Sequence, residues 1–301
     1  IPKSELLLPE LLQRAGYATG MFGKWHLGWN RDFQPQHRGF QEFTGFYEAY
    51  SLYASPADQK GIINRHLPEF SDRFIWGRGR SGIAALVRND QVVEEPRYLP
   101  DVFTDEAIDF IDRHKQEPFF LYLPYQNPHT PFQAKQEDFD AFPDEKDLNR
   151  RVYKALIRSL DHSVGRVLDA IDQQGLRDNT LVIFISDNGA ALYTHATSNA
   201  PLQGGKFTFF EGGVRVPFAM RWPGQIPEGA TFEAPVSAVD IVKTIAEAAG
   251  LPLPQDRVYD GVGLLPYVRG EKHVERDEAL FWRAGYTRAV PSGSLRLVRD
   301  G

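Results

Sequence analysis

The stretch that decides the fold class runs from Asp147 to Gly189: DLNRRVYKALIRSLDHSVGRVLDAIDQQGLRDNTLVIFISDNG. Tyr153, Leu156, Ile157, Leu160, Val164, Val167, Leu168 and Ile171 recur at three- and four-residue spacing, which predicts one amphipathic helix over 147–174. Gly175 ends it and Asp178-Asn179 turns the chain. Leu181–Ser186 (LVIFIS) is then an uninterrupted apolar run, and Asp187-Asn188-Gly189 closes it. A helix followed by a strand that is apolar on both sides is the pattern of a parallel sheet with helices on both faces. The expectation is an α/β protein with LVIFIS as a central strand.

The same alternation extends in both directions. Leu8–Leu12 predicts a short helix, with Pro9 in its first turn and Gly16 past its end, followed by a strand over Tyr17–Gly23. Thr104 can cap a second helix whose first turn carries Asp105 and Glu106. Pro118–Tyr125 (PFFLYLPY) predicts a buried strand, and Asn127–Pro131 the loop at its end. Val216–Arg221 predicts another strand and Asp240–Ala249 another helix. Shorter strands are expected at Ala279–Arg283 and Leu295–Val298. Residues 30–98, rich in glycine, arginine and aromatics, read as a loop-rich excursion with short hairpins. The domain expectation is one α/β domain over 1–270 and the start of a small α+β subdomain over 271–301.

Composition narrows the function classes. The 301 residues are 42% hydrophobic and 25% charged, the ordinary mix of a globular chain, which excludes a disordered, collagenous or coiled-coil protein. The longest apolar runs, Leu181–Ile185 and Pro118–Leu123, fall far short of the ~20 residues of a membrane-spanning helix. The formal net charge is −6 with no long basic block, which argues against nucleic acid as the main partner. A local basic pocket for an anionic substrate remains compatible with that charge. No cysteine occurs, so disulfides, thiolate zinc sites and a cysteine nucleophile within these residues are excluded. The first residue is Ile1, and the opening reads as a cut end.

Ligands of open α/β sheets bind outside the carboxyl ends of the strands. Three polar clusters fall there: Lys24 and His26, then His129, then Asp187 and Asn188. Asp187 and Asn188 offer the hard oxygen donors that calcium takes in sets of about 6–8, although Asp-Asn-Gly is equally a turn sequence. Lys24 and His26, one residue apart, would point the same way in an extended segment and form an electropositive notch; the alternative is a histidine packed under Trp25. His129 sits in a loop stiffened by Pro128 and Pro131. Gly204-Gly205-Lys206 could bring backbone and a lysine to an anion, but it lacks the P-loop spacing. His37, His66, His114, His162 and His273 read as structural or solvated, and His195 stands near Asp187 in sequence. Trp29, Phe33, Tyr47, Tyr50 and Trp76 could stack on sugar rings or form local core.

Taken together these segments resemble the formylglycine-dependent sulfatases of the alkaline phosphatase superfamily. The resemblance lies in Ala15–Thr19 with Gly23-Lys24-Trp25-His26-Leu27-Gly28, in Pro118–Leu121 with Pro128-His129-Thr130-Pro131, in Thr180–Asn188, in Gly205-Lys206 with Glu211–Pro217 and Trp222-Pro223-Gly224, and in Asp240–Gly250. It implies an alkaline-phosphatase-like sheet, whose first strands would be missing here, and a sulfuric ester hydrolase. By resemblance, Asp187 and Asn188 would bind Ca²⁺, while Lys24 and His26 would contact the nucleophile and a sulfate oxygen. His26 would also act as base when the covalent sulfate is released, and His129 and Lys206 would hold the sulfate and the departing oxygen. The substrate would be a sulfated glycan or small molecule, and the location periplasmic or extracellular. The family's nucleophile signature, Cys-x-Pro-Ser-Arg or Ser-x-Pro-x-Arg, and its early Asp-Asp pair do not occur in these residues, so the chain is expected to be a fragment and inactive alone. A phosphatase or phosphonate hydrolase of the same superfamily, or a non-catalytic binder of sulfated glycans, are the competing readings.

Overall fold

The computed structural model describes residues 1–68, 71–272, 280–284, 287–292 and 295–299; His273 and Ala279 lie outside the described residues. The chain divides into two compact units, Ile1–Leu176 with Tyr193–Ala196, and Arg177–Leu192 with the residues from Thr197 onward.

The first unit is built on helix α1 (Leu8–Arg14) and strands β1 (Ala18–Lys24), β2 (Glu42–Phe46), β3 (Ile62–Arg65), β4 (Val87–Arg88), β5 (Gln91–Val92), β6 (Phe119–Tyr122) and β7 (Phe132–Lys135). Helices α2 (Asp72–Arg78), α3 (Leu99–His114), α4 (Gln136–Asp140) and α5 (Leu148–Gln173) complete it. The main sheet has five strands in the order β5-β4-β2-β1-β6. Its centre is parallel, with Gly20 opposite Glu42 on one side of β1 and Leu121 on the other. The β4–β5 hairpin joins β2 antiparallel, making the sheet mixed.

Strand β1 is buried on both faces. On one face Phe22 and Phe119 meet Phe110 of α3 edge-on, with ring centroids 5.9 and 6.0 Å apart. A side chain at Gly20 would press on that same Phe110 ring, so the glycine sets how closely helix and sheet approach. On the other face Met21, Trp25, Phe40, Phe43, Tyr47 and Val87 form a buried cluster. A second cluster gathers Tyr53, Tyr98, Phe132, Val152, Ala155 and Leu156 around α5 and the antiparallel β3–β7 pair.

Helix α5 follows its sequence pattern. The Asp147 carboxylate accepts from Arg150 N at 3.0 Å, and Gly175, at φ 71°, follows its end. Helix α3 departs from expectation: it begins at Leu99, with Pro100 in its first turn. Thr104 is therefore inside the helix and buried, its hydroxyl donating to the Pro100 carbonyl at 2.7 Å, because a threonine can satisfy itself one turn back. The excursion 30–98 is more ordered than its composition suggests. It supplies β2 to the main sheet and is tied together by Arg80, which donates to the carbonyls of Leu52 (2.9 Å), Tyr53 (2.6 Å), Glu95 and Arg97 (3.2 Å). Burial pulls the Arg80 guanidinium down to about 10, still charged at neutral pH.

The second unit contains β8 (Val182–Ile185), α6 (Glu211–Val214), β9 (Phe218–Arg221), α7 (Asp240–Ala248), α8 (Leu265–Val268) and the antiparallel strands β10 (Trp282–Ala284), β11 (Thr287–Ser292) and β12 (Leu295–Arg299). Strand β8 is the LVIFIS run, but among the described residues it pairs with β9, antiparallel, Val182 opposite Arg221 and Ile185 opposite Phe218. An apolar run reports that both faces favour cover; it does not encode the direction of the neighbour, which the return of the chain decides. Asp240, fully buried at the start of α7, accepts from Ser237 N at 2.7 Å and Val262 N at 2.9 Å, stapling the loop before α8 to the helix. No helix among the described residues is long and apolar enough to cross a membrane.

Candidate functional site

Lys24, His26 and His129 belong to the first unit; Asp187, Asn188 and Lys206 belong to the second. Within each unit the structure brings the members onto one edge or one loop system.

In the first unit β1 and β6 run parallel, so their carboxyl ends leave the same edge of the sheet. Lys24 closes β1, its amide donating to the Pro124 carbonyl at 2.9 Å, while Trp25 N donates to Phe46 O at 2.9 Å. Gly23, at φ 140°, lets the two chains touch: a side chain there would overlap the Pro124 carbonyl. His26 departs from expectation. It lies in the left-handed region at φ 55°, so the extended run stops and strand alternation no longer aligns it with Lys24. Trp25 is buried, with its indole N–H donating to Phe33 O at 2.8 Å, while His26 is exposed and Lys24 half-buried.

His129 is held from both sides. Its amide donates to Gln126 O at 2.7 Å, and the Tyr53 hydroxyl donates toward the carbonyls of His129 (2.9 Å) and Gln126 (3.1 Å). Burial holds the fully buried Tyr53 phenol well above its ordinary range, so its proton stays on. Ser51 N and the Gln126 side-chain oxygen, 3.2 Å apart, brace the loop root, and Asn127 donates to Leu156 O at 3.0 Å. The Asn127–Pro128 and Thr130–Pro131 peptide bonds are cis. His129 Nδ1 lies 2.7 Å from the Thr130 carbonyl, an acceptor only, so Nδ1 carries the proton there.

In the second unit Asp187 and Asn188 follow β8 and are enclosed by the 203–213 segment through main-chain bonds. Gly189 N donates to Gly213 O (2.9 Å), Lys206 N to Ala190 O (3.0 Å) and Gly212 N to Gln203 O (2.7 Å). Asn199 ties the two strands of this knot, donating to Gly204 O at 2.9 Å and accepting from Ala190 N at 3.4 Å. Side chains at Gly189, Gly212 and Gly213 would overlap the carbonyls of Gly212, Gly204 and Thr208 in turn. Lys206 thus has its backbone fixed against Ala190, three residues past Asp187, and its ammonium lies 5.4 Å from the Phe207 ring centroid.

Asn188 Nδ2 donates to Gly189 O at 2.9 Å, and Asp187 is exposed. Both residues offer hard oxygen donors that suit calcium, but one carboxylate and one amide fill only part of a shell of about 6–8. Among the described residues no group of three or more His, Asp or Glu is placed to hold a metal. Asp187 and Asn188 alone form no complete metal site among the described residues.

The remaining histidines are engaged structurally. His37 lies 3.1 Å from Asp90, His66 3.3 Å from Asp72 with its ring against Trp76, and His114 between Glu117 (2.6 Å) and Glu42 (3.1 Å). His162 lies 4.0 Å from the buried Asp138. His195 is exposed at φ 55° and belongs to the first unit, Asp187 to the second. Of the aromatics considered for sugar contact, Tyr47 is buried core and Trp29 is 60% exposed. Tyr53 and Phe207 escaped the sequence reading. Nothing local marks Tyr53, which acts on a loop 76 residues away, whereas a phenylalanine within a glycine-rich loop was a visible anomaly.

The sulfatase family model matches residues 1–251. The chain belongs to the sulfatase family. It is 35% identical to the N-acetylgalactosamine-6-sulfatase of Canis lupus familiaris over 98% of its own length and 54% of the relative's. It is 32% identical to the uncharacterized sulfatase YdeN of Escherichia coli strain K12, over 95% of its length and 51% of the relative's. The solved structure of Ps i-CgsB in complex with k-i-k-neocarrahexaose superposes with a TM-score of 0.87 at 33% identity, covering 100% of this chain and 66% of that one. The chain thus spans about half the length of the curated relatives it matches. Its mixed sheet with helices is the alkaline-phosphatase-like fold of the sulfatases.

Proposed function

We propose that this sulfatase-family chain is the sulfate-holding part of a sulfuric ester hydrolase acting on a sulfated carbohydrate or aryl sulfate. The observation that carries the reading is the glycine knot, which pins the Lys206 backbone to Ala190, two residues past Asn188. A cation next to hard oxygen donors suits a tetrahedral oxyanion whose oxygens gather charge as the ester bond breaks. Asp187 and Asn188 would hold calcium, which when bound neutralises charge on the sulfuryl oxygens. By the family resemblance, Lys206 and His129 would hold the sulfate and the departing oxygen, with His129, when its ring is doubly protonated, giving a proton to the alkoxide. Lys24 and His26 would face the nucleophile, His26 taking a proton as the covalent sulfate leaves.

The nucleophile itself, a formylglycine in this family resemblance, has no precursor in these residues: there is no cysteine and no Ser-x-Pro-x-Arg. The 301 residues alone are therefore expected to be inactive. That lack also favours one second reading, a protein that binds sulfated glycans without turning them over. The canine relative's name and the carrageenan oligosaccharide in the Ps i-CgsB structure support a carbohydrate sulfate as substrate, and the resemblance supports a periplasmic or extracellular location. The test is to take the complete gene product and compare 4-nitrophenyl sulfate with 4-nitrophenyl phosphate, with and without a calcium chelator. Chelator-sensitive sulfate turnover supports the proposal. Preferred phosphate turnover moves the protein to the phosphatase branch, and saturable binding without turnover establishes the binder.

A further inference from the structure

The loop that fixes Lys206 carries a side chain that none of these roles uses. Phe207 is 83% exposed. Its φ is +75°, in the left-handed region where a bulky residue is a genuine outlier. Thr208 N donates to Gly205 O at 3.0 Å, closing a four-residue turn in which Phe207 is third. Positive φ at that position is the pattern of a type II turn, where glycine is the natural occupant. The Thr208 hydroxyl braces the turn, accepting from Gly205 N at 3.1 Å and donating to Gly205 O at 2.8 Å. A large apolar ring in water and a left-handed backbone beneath it both oppose folding, and strain of this kind points toward a site. The ring meets the candidate sulfate lysine, whose ammonium lies 5.4 Å from its centroid, within cation–π reach.

We propose that Phe207 is the stacking platform for the sugar ring whose sulfate Lys206 holds, and so selects sulfates borne on a pyranose. The inference rests on the sulfuric ester reading of the site. A pyranose presents C–H bonds on one face, which pack on an aromatic ring, while its equatorial or exocyclic oxygens project beyond the ring's edge. The ammonium lies over one face of the ring, so the sugar stacks on the other and a sulfate on such an oxygen passes the ring's edge toward it. The braced turn holds the ring in place before binding, so little ordering entropy is lost when the sugar arrives.

The test uses the complete gene product with Phe207→Gly and Phe207→Trp. Inorganic sulfate, as a competitive inhibitor, reads the anion pocket alone. A panel of monosulfated hexoses, taking the one bound best by the native protein, reads pocket and platform together. Phe207→Gly suits the turn better than phenylalanine, so its melting temperature should equal or exceed that of the native protein and misfolding will not confuse the result. The expected outcome is a tenfold or greater rise in KM for the sulfated hexose, with kcat and the sulfate inhibition constant within twofold and recovery in Phe207→Trp. An equal rise for sulfate and sugar would overturn the platform and leave Phe207 as a positioning residue for Lys206. Sugar KM unchanged in Phe207→Gly, or sulfate bound by the native protein with no hexose accepted, would overturn it as well. Failure of the native protein to bind inorganic sulfate would bring down the sulfuric ester reading itself, and the platform with it.

Discussion

Lys24 and His129 owe their places to strands and to side-chain partners, whereas Lys206 and Asn188 owe theirs to a knot of glycine main chain. In the first unit Lys24 is set by the β1–β6 register, and His129 by a tyrosine 76 residues distant. In the second unit main-chain groups do most of the joining, Gly189 N to Gly213 O, Lys206 N to Ala190 O and Gly212 N to Gln203 O, with the Asn199 side chain across them. The first arrangement is redundant: several hydrogen bonds converge on one loop, so loss of one leaves the others. The second has no slack, because a side chain at Gly189, Gly205, Gly212 or Gly213 would overlap a main-chain oxygen.

Substitutions can break that contrast, and the largest effect is expected at Gly189. Gly189→Ala drives a methyl into the Gly212 carbonyl, so the knot must open. We expect a loss of at least about 3 kcal/mol in urea unfolding together with loss of activity in the complete protein. An unchanged denaturation midpoint would show that the knot has room after all. His129→Ala should leave the fold intact and lower kcat of the complete protein by roughly 10²–10³-fold, the scale of a lost general acid. Activity within tenfold of native would remove His129 from the chemistry. Tyr53→Phe removes the hydroxyl donor from the His129 carbonyl while Gln126 O keeps the His129 amide, and should cost about 1–2 kcal/mol with a much smaller kinetic effect than His129→Ala. If Tyr53→Phe were as damaging as Gly189→Ala, the first unit would not be the redundant one.

The smallest effect concerns pH. The Arg113 guanidinium hydrogen bond, opposed by burial and aided by His114, holds the Glu42 carboxyl below its ordinary range. A depressed folded pKa contributes stability that is present above the unfolded value, near 4.5, and is lost as pH falls through the folded value. Glu42→Gln should therefore flatten the acid limb of the first unit's stability while changing it by less than about 1 kcal/mol at neutral pH, since the pair is partly exposed. An acid limb identical to that of the native chain would assign it to other carboxylates.

What could be read from sequence followed the same divide. Local rules placed the helix over 147–174, the strand ends bearing Lys24, His129 and Asp187, and the glycine loop of Lys206, because periodicity and turn chemistry are short-range signals. Strand β2 was hidden in EFTGF, which has glycine and threonine where an apolar run is looked for, and it earned its strand from pairing with β1. The antiparallel return of β9 onto β8, the left-handed turn at His26 and the reach of Tyr53 all depend on tertiary context. Thr104 looked like a cap because its own preferences fit one; Pro100 placed the helix start earlier.

Arg80 gives the excursion a property its composition conceals. A glycine- and arginine-rich stretch of surface chain is ordinarily where proteases cut first, since cleavage needs several residues to peel away into an extended strand. One guanidinium that grips carbonyls at Leu52, Tyr53, Glu95 and Arg97 makes peeling a concerted event, in which those main-chain segments must leave together. Digestion of the excursion would then wait on a shared opening of these segments, and its surface would be free to diversify around a buried nail.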